Sequence, residues 1–421
     1  MSVLDRPHRD DPVIGPRPTA GLDWANDDHA IAVLDPDGEP IDRFTVPHTA
    51  AGLAGATTRL ARAGVSGVGI ERSDGPVVEA LLAAGLTVFV IHPNQLKNLR
   101  GRYGSAGRKD DRFDAYVLAD VVRTDHRRLR PFEPDAPATT TLRATCRARR
   151  DLVTHRVGLT NQLRAHLKTA FPGAVGLFAD LDSPISLRFL RRVPDQDHAD
   201  RFTLRRWKAW LTAAGYCGRT TADTFDHRLR HAARGITGAH GAALAAITGA
   251  LITAITAINT QIAELADRIE EQLALHPDQA IVTSLPRAGT VRAARLLAEI
   301  GDARGRFPTP DSLTCLAGVA PATRQSGKLT TVGFRWAADK QLRDAVCDFA
   351  GDSRHANPWA ADLYQRARAR GHDHPHAVRI LARAWLHVIW KCWQTNTPYD
   401  PDRHGALQAL LHRQHQQTAA A

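Results

Sequence analysis

Ala20-Gly21-Leu22-Asp23-Trp24-Ala25, His29-Ala30-Ile31-Ala32-Val33-Leu34 and Ile41-Asp42-Arg43-Phe44-Thr45-Val46 follow one another near the start of the chain. Each is a short run rich in apolar or β-branched residues, and Asp35-Pro36-Asp37-Gly38 between the last two is a strong turn signal. The three read as strands of an antiparallel meander. Past them the period changes: residues 49–63 read as an amphipathic helix, 65–71 as a strand, 76–84 as a helix and 86–91 as a buried strand. A sheet that opens as a meander and continues by alternating helix and strand is expected over residues 19–130.

Acidic residues sit at telling places in that pattern. Asp23 stands on the first strand and Glu71 ends the fourth. Lys109-Asp110-Asp111-Arg112-Phe113-Asp114-Ala115 then opens a helix expected to run to about residue 123, with Phe113, Val117 and Val121 on its buried side. Asp111 and Asp114 are three apart and share one face. Two ionised carboxylates about 4 Å apart repel by about 4 kcal/mol at an effective dielectric near 20. Four that converge therefore need a cation, and an all-oxygen ligand set suits a hard ion such as Mg²⁺. Asp110 leaves one alternative open, because its i,i+4 pairing with Asp114 is geometrically as good. Asp on the first strand and Glu ending the fourth, in this strand order, is the pattern of the ribonuclease-H-like (RuvC-like) fold.

The bulk numbers agree with a nucleic-acid substrate. The chain has 421 residues, enough for two or three domains, with 43% apolar and 24% charged residues. Its 55 Lys+Arg against 44 Asp+Glu give a formal charge of +11, which favours a polyanionic partner over a small neutral one. Cys146, Cys217, Cys315, Cys347 and Cys392 are scattered and never in a CxxC pair, which argues against a disulfide framework and a zinc ribbon. Residues 1–18 are polar and Pro-rich and read as a disordered tail with no signal-peptide core. No uninterrupted apolar span approaches the roughly 20 residues of a membrane helix. A cytoplasmic, nucleoid-associated protein that does not enter a membrane is expected.

Further along, residues 97–108 are basic and Gly-rich, with Arg100, Arg102 and Arg108 followed by Lys109. This loop suits closure on a phosphate backbone, and reads equally as a solvated loop. Residues 131–137 (Pro-Phe-Glu-Pro-Asp-Ala-Pro) form a linker, after which strand signals cease. Residues 142–169 make an Arg-dense helix, and 171–234 a mixed helical region with an apparent insertion at 184–233. Leu244, Ile247, Leu251, Ile255, Ile258, Ile262, Leu265, Ile269 and Leu273 step by three or four, as in a coiled-coil seam. Such a seam would make 138–276 an oligomerisation domain; a long helix buried in its own domain has the same pattern.

A mainly helical domain is expected over 278–400, with a tail at 401–421. Ser284-Leu285-Pro286-Arg287-Ala288-Gly289-Thr290 before a helix at 291–300 resembles half of a helix–hairpin–helix, whose turn can meet a phosphate. An ordinary capped helix reads the same. Ala322-Thr323-Arg324-Gln325-Ser326-Gly327-Lys328 sets Ser326 in a Gly-flanked turn beside Arg324 and Lys328, with Arg335, Lys340 and Arg343 following. A serine hydroxyl can attack a phosphodiester where cations stabilise the developing charge and a base takes its proton. Composition alone favours a plain surface serine. In His372-Asp373-His374-Pro375-His376, Pro375 is expected to break any helix, which favours a solvated loop over a zinc site. Trp385, Trp390 and Trp393 read as core packing.

These stretches, with Ile70-Glu71, His92-Pro93, Glu299-Ile300-Gly301-Asp302, Ala317-Gly318-Val319-Ala320-Pro321 and Pro398-Tyr399-Asp400, occur in one order across about residues 20 to 400. Together they resemble the insertion-sequence transposases that join a RuvC-like DEDD domain to a C-terminal serine-bearing transposase domain. That group includes the pilin-gene invertases and the bridge-RNA-guided recombinases. The resemblance implies that Asp23, Glu71, Asp111 and Asp114 are the DEDD set holding Mg²⁺, and that Ser326 links covalently to cleaved DNA. It further implies donor and target DNA, a structured guide RNA that pairs with them, and dimers that join into a tetramer. A DNA recombinase guided by RNA is thus expected, with Arg100, Arg102, Arg108, Lys109, Arg287, Arg324, Lys328, Arg335, Lys340 and Arg343 as nucleic-acid contacts. A Holliday-junction-type metal-dependent endonuclease and a protein-only DNA invertase are the alternatives.

Overall fold

In the computed structural model, which describes residues 17–103, 110–327 and 329–419, the meander is present as β1 (Thr19–Asp23), β2 (Asp28–Leu34) and β3 (Pro40–Pro47). Helices α1 (Ala50–Arg62) and α2 (Pro76–Ala83) alternate with β4 (Gly67–Ile70) and β5 (Thr87–Val90), and α3 (Pro93–Leu99) and α4 (Asp111–Asp125) follow. The sheet order is β3-β2-β1-β4-β5, with β1–β2 and β2–β3 antiparallel and β1–β4 and β4–β5 parallel. Thr49 caps α1 by accepting from the Gly52 amide at 3.1 Å, and Leu53, Ala56 and Leu60 face the sheet.

The sheet is buried on both faces except along the edge strand β3, whose residues are exposed or half-buried. Ala20, Leu22, Ile31 and Val33 meet α1 and α2 on one side, while Phe89 and Ile91 meet Val117, Leu118 and Val121 of α4. Two glycines opposite each other in register, Gly21 and Gly69, let α4 rest directly on the sheet backbone. A Cβ on Gly21 would lie 2.0 Å from the Ala115 carbonyl oxygen, and one on Gly69 would lie 2.7 Å from that of Leu118. Side chains at those positions would lift the helix that carries Asp111 and Asp114.

The chain divides into two units, Met1–Pro134 and Asp135–Ala421. The second opens with α5 (Pro137–Ala170). Short helices α6 (Pro184–Arg192), α7 (Gln196–Asp200), α8 (Leu204–Ala213) and α9 (Ala222–His231) come next, and then α10 (Gly238–Ala274). Helices α5 and α10 run antiparallel: Thr139 meets His276 at 2.8 Å near one end, and His166 meets Thr248 at 3.0 Å near the other. The mixed helical region between them is a small aromatic core. Trp207 is fully buried there, stacked between Phe189 at 4.9 Å and Phe225 at 5.2 Å.

The structure bears on two expectations about α10. Leu251, Ile255, Ile262, Ile269 and Leu273 are buried within this chain, so much of the seam faces its own subunit. The helix also contains an 18-residue window of mean hydropathy 2.0, long and apolar enough to cross a membrane. The threonines that interrupt it bond back to the preceding turn, as Thr253 does to Gly249 O at 2.9 Å and Thr256 to Ile252 O at 2.7 Å, which leaves little unpaired polarity.

The remainder comprises α11 (Gln279–Thr283), α12 (Gly289–Ile300), α13 (Pro310–Leu316), β6 (Ala322–Ser326), β7 (Leu329–Gly333), α14 (Lys340–Ser353), α15 (Pro358–Ala369), α16 (His374–Thr395) and α17 (Gly405–Ala419). Trp385 and Trp393 are buried at its centre. The expected tail at 401–421 is largely helix, with Leu407 and Leu410 in that core. Pro375 starts α16 rather than breaking it, since the first turn needs no N–H there, and Asp373 caps the helix through the His376 amide at 2.8 Å. Of the expected tail at 1–18, residues 1–16 lie outside the described residues. Within 131–137, Asp135 is anchored: it accepts from the amides of Asp302 at 2.9 Å and Ala303 at 3.1 Å and pairs with Arg143 and Arg306. All five cysteines are free thiols.

Candidate active-site residues

Asp23 ends β1, Glu71 follows β4 directly, and Asp111 and Asp114 lie in the first turn of α4. The Asp23 carboxyl is pushed up to about 7, first by burial and then by the charges of Asp114, Asp111 and Glu71, against a lowering by Arg100. These groups therefore act on one another. Among the described residues, however, no three His, Cys, Asp or Glu side chains stand close enough to hold one ion.

Arg100 accounts for part of that. Its Nε donates to Asp114 Oδ1 at 2.5 Å and its Nη2 to Oδ2, so both oxygens of a carboxylate only 2% exposed are engaged. Arg100, expected as a nucleic-acid contact, is here the counter-ion of Asp114, because a buried carboxylate without a partner is costly. Asp110 is the N-cap of α4 and accepts from the Arg112 amide at 3.1 Å, while the charge of Asp111 bears on Asp23. The donor set is all hard oxygen. It fits a divalent cation chemically.

The other basic expectations divide. Arg102 pairs with Asp125 at 3.1 Å and Arg287 with Asp352 at 3.0 Å, so both have partners inside the chain. Arg343 donates to the carbonyls of Ala317 at 3.4 Å and Arg335 at 3.1 Å, and its guanidinium lies 4.6 Å from the Phe334 ring. It shapes the segment that follows the hairpin. Arg324 and Lys340 are exposed, and Arg335 is half-buried. Arg108, Lys109 and Lys328 lie outside the described residues.

Ser326 flanks the expected Gly-containing turn rather than lying within it. It is the last residue of β6, paired with Leu329 in an antiparallel β6–β7 hairpin, and it is exposed beside Gly327 at φ 56°. Sequence reasoning misses these strands because Thr323, Arg324, Gln325 and Ser326 are all exposed and show no apolar alternation. The β-branched run Thr330-Thr331-Val332 after a Gly-containing turn is the available signal.

Comparison with known proteins gives the class. Residues 20–172 match a DEDD transposase family model, and residues 279–365 match the transposase IS116/IS110/IS902 family. The first match passes the end of the α/β unit and takes in α5. The chain is 32% identical over 401 residues to the mini-circle transposase described for IS117 of Streptomyces coelicolor, covering 91% of this chain and 95% of that protein. It is 27% identical over 403 residues to the 42 kDa protein of insertion element IS900 from Mycobacterium paratuberculosis, covering 91% and 97%. To the 43.6 kDa protein of insertion element IS110 from Streptomyces coelicolor it is 29% identical over 298 residues, covering 69% and 72%. The chain belongs to the IS110/IS116 family of insertion-sequence transposases, whose substrate is DNA.

Proposed function

We propose that this transposase cleaves and rejoins DNA through a serine nucleophile, Ser326, working with a Mg²⁺-binding set of Asp23, Glu71, Asp111 and Asp114 on a ribonuclease-H-like (RuvC-like) sheet. The observation that carries the reading is Asp23, whose carboxyl is held up near 7 by burial and by the three acidic residues that would complete the set. Mg²⁺ bound there would supply positive charge to a phosphate in transit. Asp23 and Glu71 are fixed by strand ends, and Asp111 and Asp114 by a helix seated on glycine. Asp110 is already used as a cap, which favours Asp111 in the set. Arg100 must leave Asp114 before that carboxylate can serve a metal.

Ser326 stands exposed near the tip of a hairpin, where its hydroxyl can approach a backbone phosphate. Its Oγ bonds to phosphorus as a phosphodiester P–O bond breaks, the serine proton passes to a base, and the departing sugar oxygen takes up a proton. The bond energy is kept in the phosphoserine link, so rejoining needs no outside energy source. A structured guide RNA pairing with donor and target DNA would supply sequence choice, and dimers joining into a tetramer would bring several sites to one junction.

Trapping reactions on labelled DNA test the chemistry. Ser326→Ala should give no protein–DNA adduct and no strand exchange, and Asp23→Asn should fail likewise. Continued cutting by Ser326→Ala would mean that water attacks, as in a junction endonuclease. For guidance, RNA co-purified from the native host should be one discrete structured species; random fragments would leave protein-only recombination.

A further inference from the structure

A cleft of about 550 Å³ opens in the second unit between α5, α12 and α14. Its wall carries Arg149 and Arg150 from α5 and Arg292 and Arg295 from α12, against Asp344 and Asp348 from α14. Three of these arginines have partners. Arg150 reaches Asp344 at 2.9 Å, Arg295 reaches it at 2.6 Å, and Arg292 reaches Asp348 at 3.2 Å and Asp352 at 2.7 Å.

Arg149 does not share in this network. Its Nε is buried with no hydrogen-bond partner, and no described residue forms an ion pair with it. Burial is the main cause that lowers its pKa, followed by the charge of Arg156, with a smaller lowering from Arg295. The neighbouring Cys146 offers no compensating charge, since burial pushes its thiol up to about 12. Arg149 is half-buried, so part of its charge reaches solvent, and of the cleft's four arginines it is the one without a carboxylate partner among the described residues, which leaves it able to meet an anion. A guanidinium fork suits a phosphate oxygen pair.

The cleft also leads somewhere. A second cavity of about 830 Å³ shares Arg292, Asp344 and Asp348 with it and extends along α14 to Lys340, Arg379 and Phe334. Phe334 follows the hairpin that bears Ser326, separated from β7 by no residue.

We propose that the α5–α12–α14 cleft is a phosphodiester-binding site, with Arg149 meeting a backbone phosphate and the groove along α14 carrying the same strand toward the β6–β7 hairpin. The site rests on the chain's being a nucleic-acid enzyme but not on Ser326 being the nucleophile. A full-length Ser326→Ala background, which keeps binding apart from cleavage, is therefore the form to test.

The measurement is affinity for a duplex DNA and for a structured RNA hairpin over a range of KCl, for the parent and for Arg149→Met. Losing one phosphate contact should reduce the slope of log K against log salt by about 0.9 on duplex DNA or about 0.7 on a single strand. Affinity should fall by roughly the same factor on unrelated sequences. Whichever probe shows the loss identifies the strand that occupies the cleft. The melting temperature of the nucleic-acid-free variant should hold or rise, because a half-buried cation without a carboxylate partner has been removed. Arg149→Lys should keep most of the salt slope. Parent-like slopes on both probes would overturn the site, as would a melting temperature that falls together with binding, which would mark Arg149 as a packing residue.

Discussion

Asp23 is asked to carry a charge where burial and three neighbouring acids oppose it. Its folded pKa of about 7 lies above the ordinary 3.8, so the folded protein holds the proton more tightly than the unfolded chain. Stability from this group is therefore present at low pH, declines as pH rises from about 4 to about 7, and does not return above that. In the absence of divalent metal, Asp23→Asn should be more stable than the parent at pH 8, by about 2 kcal/mol, and no different near pH 4. Thermal unfolding across that range checks it; equal curves at pH 8 would mean that the carboxylate is not under this strain. Arg100→Ala should act in the opposite sense. It leaves Asp114 buried and unpaired, with a loss of about 3 kcal/mol in metal-free buffer, and Mg²⁺ should then raise the melting temperature more than it does in the parent. An equal Mg²⁺ response in both proteins would separate Arg100 from the metal site. The acidic set is legible in the sequence because strand ends and helical spacing announce it. The Arg100 pairing is not, since nothing in a basic Gly-rich stretch tells a loop that meets DNA from one that folds back on its own carboxylate.

At the scale of elements, the N-terminal unit is readable because alternating apolar runs, turn residues and a capped amphipathic helix agree with one another. The glycines of β1 and β4 carry more than the pattern shows. Gly21→Ala would place a methyl 2.0 Å from the Ala115 carbonyl oxygen, so α4 must lift. A loss of about 3 kcal/mol is expected, together with weakened metal binding, because Asp111 and Asp114 ride on that helix. Gly55, inside α1, is the control: a methyl added there would meet nothing within 4 Å. Gly55→Ala should therefore stabilise by about 0.5–1 kcal/mol. Chemical denaturation of both variants decides, and equal effects would remove the close approach as the reason. In the second unit the signals are weaker. The aromatic core around Trp207 is built from helices of five to ten residues, too short to establish a period. The β6–β7 hairpin is exposed and offers no buried face to read. Helix α10 shows a seam, but spacing alone cannot say whether the partner helix is α5 or belongs to another subunit.

That ambiguity becomes a question about the whole molecule. Helix α5 covers one side of α10, yet Val157 is 50% exposed, Ile247 49% and Leu275 86%. A protein of formal charge +11 repels copies of itself, and exposed apolar side chains on paired helices oppose that repulsion. The balance should respond to screening. If these residues form the proposed contact between subunits, raising salt from about 100 to 500 mM, which shortens the Debye length from about 10 Å to below 5 Å, should increase the dimer fraction. Ile247→Asp and Val157→Asp should each shift the mass toward monomer at both salts. Because the positions are surface-exposed, the intrinsic stability of the chain should change by no more than about 0.5 kcal/mol. Sedimentation velocity across a concentration series reads the mass, and unfolding at low concentration reads the stability. Variants that keep the parent's mass at every salt would place the subunit contact elsewhere. In that case the seam on α10 serves only its own chain.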